Sequence, residues 1–203
     1  MGGIPSEKIE VIYNGIDIDY FKPSLSIKPK SKEISIFFSG NLTHRKGAHW
    51  LPAISDKLDS NIRIYYTKGL RPQSSLPASD RLQSIGSIPF VDMPQRYHDM
   101  DILLMPTVRE GFGLSIAEAM ACGLPVVATN CSAIPELIDE GKGGFLCPPG
   151  DVNAFAEKLN ILANSPRMRR EMGEYNRSKV EKEFTLVRMV KEYKRLFNEI
   201  LEI

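Results

Sequence analysis

Cysteine is scarce: the 203 residues contain three, Cys122, Cys131 and Cys147. An odd set with no Cys-x-x-Cys spacing argues against a disulfide framework or a zinc site. The three read most simply as small buried hydrophobes. A strong charge of either sign is also lacking. Lys and Arg number 26 against 25 Asp and Glu, a formal net charge of +1. No global field therefore favours nucleic acid or an acidic membrane. No run of eighteen apolar residues is present to span a bilayer. The opening Met-Gly-Gly-Ile-Pro carries no apolar signal core. The expectation is a cytoplasmic protein, peripheral at the inner membrane face at most. The single tryptophan, Trp50, reads as a packing residue. His44, His49 and His98 read as surface or structural residues, since a spacing of five sets His44 and His49 poorly for a shared metal on one helix face.

What is present is alternation. Ile34 to Phe38, Ile62 to Tyr66, Ile102 to Met105 and Pro125 to Ala128 are short apolar strands, and Leu82 to Ile88 holds another. Helical patterns fall at Lys46 to Leu58, Leu114 to Ala121, Asp151 to Ala163 and Pro166 to Glu183. In the first of these, Pro52 requires a start near Leu51 or a kink. Gly123 and Pro125 close the second. Strands alternating with helices predict an α/β fold, a Rossmann-like doubly wound parallel sheet. Gly69 to Asp80 has no helical period, so a loop replaces a crossover helix there. Thr185 caps a last helix reaching Ile203. Its stripe of Leu186, Met189, Val190, Tyr193, Leu196, Phe197, Ile200 and Leu201 predicts a docked helix with a solvated opposite face.

In such a sheet, ligands bind beyond the carboxyl ends of the strands. Two loops qualify, Gly40 to Gly47 and Pro106 to Gly113. The second offers backbone N–H groups of Gly111, Phe112, Gly113 and Leu114 at a helix N-terminus, which favours a phosphate. Lys46 adds a point charge from the facing loop. Glu110 and Glu118 bracket this turn, where carboxylates can accept hydrogen bonds from hydroxyls on either side of a phosphate. A solvated helix-start acid is the bland alternative for each.

The stretch EGFGLSIAEAMACGLPVVAT resembles the E-x7-E signature of the retaining family 4 glycosyltransferases, which have the two-domain GT-B fold. VIYNGIDIDYFKP resembles the segment that opens their C-terminal domain. SGNLTHRKG resembles their G-R-L-x-x-x-K-G loop, IPELIDEGKGGFLCPPGDVNAFAEKL the stretch after the signature, and YKRLF the terminal helix. The resemblance implies a donor-binding half. Residues 1–30 form the opening segment, 31–183 the nucleotide-sugar-binding domain, and 184–203 a helix that docks on an N-terminal acceptor domain outside this sequence.

By position, Glu110 would hold the transferred sugar and Lys46 would neutralise the diphosphate. Gly40, Asn41, Arg45, Gly111, Phe112, Gly113 and Leu114 would bind the donor, and Glu118 its ribose. No cofactor or metal is implied: the Asp-x-Asp of Asp17-Ile18-Asp19 lies in the opening segment. The resemblance further implies retention of configuration and membrane contact only through the other domain; the near-neutral charge implies no nucleic-acid partner, and an uncovered terminal helix implies self-association. The family's arginine in the first loop is Asn41 here, compensated by Arg45 in the same loop. Ser132-Ala133 replaces the usual Gly-Gly. Two alternatives stay open: a non-catalytic partner-binding module, and a nucleotide-sugar epimerase of the same architecture.

Overall fold

The computed structural model describes residues 4–25, 32–69 and 75–201. Six parallel strands form one sheet: β1 (Ile34–Phe38), β2 (Ile62–Tyr66), β3 (Leu82–Ser84), β4 (Ile102–Met105), β5 (Val126–Thr129) and β6 (Gly144–Cys147). Their spatial order is β3-β2-β1-β4-β5-β6. The order reverses between β1 and β4, which pair Ile36 with Ile102 and Phe37 with Leu103. The expected Rossmann-like α/β fold is the one observed.

Alternate side chains send the sheet's two faces into separate cores. Ile34, Ile36 and Phe38 join α1 (Leu51–Ser55) and α5 (Val152–Asn164) on one face. Phe37, Leu103 and Met105 join α2 (Met93–His98), α3 (Leu114–Ala121) and α4 (Ile134–Leu137) on the other. α6 (Pro166–Glu183) serves both faces, giving Met172 to the first core and Val180 to the second.

Several boundaries differ from the sequence reading, each for a local reason. The helix expected over Lys46 to Leu58 is α-helical only over Leu51–Ser55, after a 3-10 turn at Ala48–Trp50. Ser55 Oγ donates to the Pro52 carbonyl at 2.7 Å, and Arg81 donates to the Ser55 and Leu58 carbonyls at 3.2 and 2.5 Å. The helical ladder ends where Asp59 N turns to Asn160 Oδ1 at 3.1 Å. β5 starts one residue after Pro125, which has no N–H to donate but accepts from Leu103 N at 3.0 Å. β3 stops at Ser84, well short of Ile88. α2, α4 and β6 were not anticipated: two are helices of six and four residues, and the third is a four-residue strand. Elements that short carry little periodicity. In the stretch from Gly69 to Asp80, the described residues contain no helix, and β2 still reaches its parallel neighbour β3. Residues 70–74 lie outside the described chain.

Asp151 and Thr185 cap their helices as expected, and Ser165, ahead of the expected start at Pro166, caps the third. Asp151 accepts from Ala154 N at 2.9 Å, Ser165 from Met168 N at 3.3 Å and Thr185 from Arg188 N at 3.1 Å. Cys122 and Cys147 are buried as expected, whereas Cys131 is half-exposed. The opening segment docks on the second core. Ile16 exchanges backbone bonds with Phe184 and Leu186, and Arg177 donates to the carbonyls of Ile18, Phe21 and Ala121.

In the last helix, α7 (Leu186–Leu201), none of the described residues is buried. It contacts the opening segment at two levels: Gly15 N meets Met189 Sδ at 3.2 Å, and further along Arg195 pairs with Glu10. Val187, Phe197, Ile200 and Leu201 are each more than half exposed. Among the described residues, no helix is long and apolar enough to cross a membrane.

Gly47 fixes how the chain leaves the β1 loop. Its φ is +73°, and a Cβ there would stand 1.8 Å from the Pro106 carbonyl oxygen. Both the left-handed backbone and the backbone contact demand glycine. Gly47→Ala is expected to cost about 2 kcal/mol or more. Urea unfolding checks this, and a variant as stable as the parent would mean that the loops separate freely.

Candidate functional site: a cleft at the β1–β4 switch point

The loops after β1 and β4 emerge side by side because their strands are paired. Thr107 Oγ1 and Val108 N both donate to the Arg45 carbonyl at 2.8 Å, joining one loop to the other. Thr67, at the end of β2, fixes Gly40 from the other side. Its hydroxyl accepts from Gly40 N at 2.9 Å and donates to Gly40 O at 2.8 Å. Between these anchors, Lys46 Nζ meets Glu110 Oε2 at 2.5 Å, with side chains only 14% and 12% exposed. Partial burial strengthens such a pair relative to one in open water.

α3 points its N-terminus into the same space. Gly113, at φ +104°, precedes it, and no side chain caps it. Its Cβ would crowd Leu137 and Ile116 at 3.1 and 3.2 Å. An uncapped helix start with backbone N–H groups and a positive dipole end attracts an anion. Phe112 anchors the turn by packing against Tyr13 and Phe184, ring centroids 6.2 and 5.7 Å away. Ala117, Ala119 and Ala121 are buried, so the helix seats closely on its neighbours.

One turn further on, Glu118 accepts from the Tyr97 hydroxyl at 2.7 Å. Burial raises the Glu118 carboxyl above its ordinary range, and the Tyr97 bond works against that rise. The same burial, with the Glu118 charge beside it, pushes Tyr97 well above the usual phenol value.

These features share a cleft of about 480 Å³. Eight of the ten expected site residues line it: Gly40, Asn41, Lys46, Glu110, Phe112, Gly113, Leu114 and Glu118. Two do not. Arg45 turns its guanidinium to the surface, 3.4 Å from the Arg109 carbonyl, so it leaves the charge missing at Asn41 uncompensated within the cleft. Its carbonyl, the anchor between the loops, is its structural part. Gly111 is exposed at the outside of the turn, with open space around its Cα.

The reading missed Asn14, Thr67, Ser87, Ile88, Met93 and Ser115, which also line the cleft. Asn14 sits in the YNG triplet of the opening segment, the one signal that could have found it. Ser87 and Met93 come from segments with no motif. None of the three histidines lines the cleft. His44 and His49 stack with ring centroids 4.0 Å apart, an arrangement their spacing did not foresee, and His98 Nε2 lies 2.7 Å from the Lys22 carbonyl. Among the described residues, no group of three or more His, Cys, Asp or Glu is placed to hold a metal ion. Chemically, the cleft offers one cation and a helix N-terminus to an anionic group, with a carboxylate on each side for hydroxyls.

Comparison with known proteins gives this arrangement a family. A family model described as glycosyl transferases group 1 matches residues 33–165. The capsular polysaccharide biosynthesis glycosyltransferase CapM of Staphylococcus aureus is 28% identical over 209 residues, covering 98% of this chain and 53% of CapM. The chain thus spans about half the length of such curated relatives. Among solved structures, HepE of Anabaena in complex with UDP-glucose is similar with a TM-score of 0.85 at 22% identity, over 97% of this chain and 59% of that one. The C-terminal domain of the glycosyl transferase group 1 family protein LpcC of Francisella tularensis has a TM-score of 0.70 at 22% identity, over 85% of this chain and 100% of that one. The fold is the Rossmann-like one of these GT-B neighbours, and the chain belongs to the glycosyl transferases group 1 family.

Proposed function

We propose that this chain binds the nucleotide-diphosphate-sugar donor of a metal-independent, retaining hexosyltransferase. One observation carries the reading: the Lys46–Glu110 pair stands at the uncapped start of α3, in the same cleft as Glu118. A diphosphate fits between Lys46 and the α3 amides, where charge developing on the leaving phosphate is stabilised without a metal ion. Lys46 then exchanges a carboxylate for a phosphate oxygen. Glu110, released from Lys46, accepts from the sugar's hydroxyls, and Glu118 accepts from the ribose. UDP-glucose, the molecule named in the HepE complex, is the first donor to test. The acceptor sits on a second domain against which the exposed face of α7 docks, and that face drives self-association when uncovered.

Calorimetry with UDP, GDP, ADP and UDP-glucose tests the reading. Lys46→Ala is expected to weaken UDP and UDP-glucose alike, by about 1.5–3 kcal/mol for a charge-assisted contact. Glu110→Ala is expected to weaken UDP-glucose and to leave UDP unchanged or tighter, because Lys46 loses its competing partner. If the parent binds no nucleotide, a partner-binding module becomes the better reading.

Glu118 gives a pH test with a definite sign. Its carboxyl is raised above 4.5 in the folded chain, so the native state holds the proton to higher pH than the unfolded one. Its contribution to stability falls as pH rises from about 4.5 through the raised value, and the penalty is complete above it. Glu118→Gln keeps an acceptor for Tyr97 and removes the charge. The variant is expected to be at least as stable as the parent at neutral pH, to lose this part of the pH slope, and to bind UDP more weakly. Urea unfolding between pH 4 and 8 reads the difference, and parallel curves for the two proteins would count against it.

A further inference from the structure

The inner wall of the cleft rests on a side chain that the proposed function leaves without a role. Tyr97 is fully buried on α2, its ring packed edge-on against Phe37 and Phe21 at 5.5 and 6.0 Å. A phenylalanine would fill that space without bringing a hydroxyl out of water, and a buried polar group is favourable only when it is bonded. The Tyr97 hydroxyl lies 2.7 Å from Glu118 Oε2 and 3.3 Å from the Ser115 carbonyl, so its proton goes to the carboxylate. Glu118 faces the cleft. With Oε2 taken from behind, Oε1 is left for a ligand hydroxyl.

We propose that Tyr97 is a positioning residue, whose hydroxyl locks the Glu118 carboxylate in the orientation that receives the donor's ribose. The proposal rests on the reading of Glu118 as the ribose-binding residue. A half-buried carboxylate held by one strong bond loses two things without it: its fixed rotamer, and the interaction that offsets its desolvation. Burial already favours its protonated form. The groups facing this pocket are Tyr97 from α2, the Ser39 hydroxyl that bonds the Tyr97 oxygen from the end of β1, the Ser115 carbonyl and the Cys122 thiol from the α3 segment, and, beyond Cys122, Arg177 from α6. A protonated or swung-away Glu118 is a poorer acceptor for vicinal hydroxyls, whereas phosphate binding at Lys46 and the start of α3 is untouched.

The test compares UDP with inorganic pyrophosphate on the parent, Tyr97→Phe, Glu118→Ala and the double variant. Tyr97→Phe is expected to bind UDP about ten-fold more weakly, as for one hydrogen bond to a charged group, and pyrophosphate equally well. In the Glu118→Ala background it is expected to cost nothing further, because the two act as a unit. Unchanged UDP affinity in Tyr97→Phe, an equal loss for pyrophosphate, or losses that multiply in the double variant would each overturn the proposal. So would failure of Tyr97→Phe to fold, which would make the hydroxyl a structural requirement. Carbon-13 titration of the Glu118 carboxyl separates this idea from the function it rests on. A higher pKa in Tyr97→Phe supports the lock even if the parent takes pyrophosphate and no nucleotide; an unchanged pKa refutes it.

Discussion

β1 and β4 are registered through only two residue pairs, Ile36 with Ile102 and Phe37 with Leu103. That short ladder is where the sheet changes winding direction, so the chain leaves the two strands in different directions and opens a crevice between the loops. The crevice would be slack if the strands were its only support. Gly47 lies against the Pro106 carbonyl, and the Arg45 carbonyl takes bonds from Thr107 and Val108. Most of these ties are main-chain atoms or short side chains, which have little rotamer freedom to lose. Lys46, whose side chain is the long and flexible member, is placed by them and then held by Glu110.

The two carboxylates of the cleft are stabilised in opposite ways. Glu110 is met by a full positive charge, whereas Glu118 is met by a neutral hydroxyl. At Glu118 the neutral donor leaves part of the desolvation cost standing. The first arrangement holds a group that has to let go of its partner when an anion arrives. The second holds a group whose partner can stay where it is. The division of roles between sugar and ribose follows that difference in mobility.

Much of the fold was legible because its signals are local. ISIFF and IRIYY are apolar runs, Asp151 and Thr185 mark helix starts by capping chemistry, and Pro166 marks a third. The sheet's other edge was not legible: GFLC between glycines and prolines has too few residues to show a period, and Gly144 packs so tightly on β5 that a Cβ would stand 1.9 Å from Val126 O. The cleft divides in the same way. Residues on the two motif loops were found, whereas Asn14, Ser87 and Met93 reach it through tertiary packing, which no single segment records. Arg45 and Gly111 sit in the right loops, but the turns direct them outward. Side-chain direction in a loop depends on backbone dihedrals that composition does not specify. α7 was the plainest helix in the sequence, yet its amphipathic pattern says only that a face wants covering, and nothing of what covers it.

The sheet also separates two kinds of mutational history. α1 and α5 build the core on one face, while Tyr97, α3 and the opening segment build the core that backs the cleft. Substitutions on α1 and α5 lower the folded fraction and can be offset by stabilising changes elsewhere, whereas Leu42 and Ala48, in the same core, flank Lys46 and lack that freedom. On the second face the same loss of packing also displaces groups that meet the ligand, so a stabilising change at a distance restores the fold without restoring the site. Within a lineage, the α1 and α5 side chains are therefore free to drift through compensated pairs, and the core behind the cleft is held to substitutions that preserve both volume and the direction of a few polar atoms.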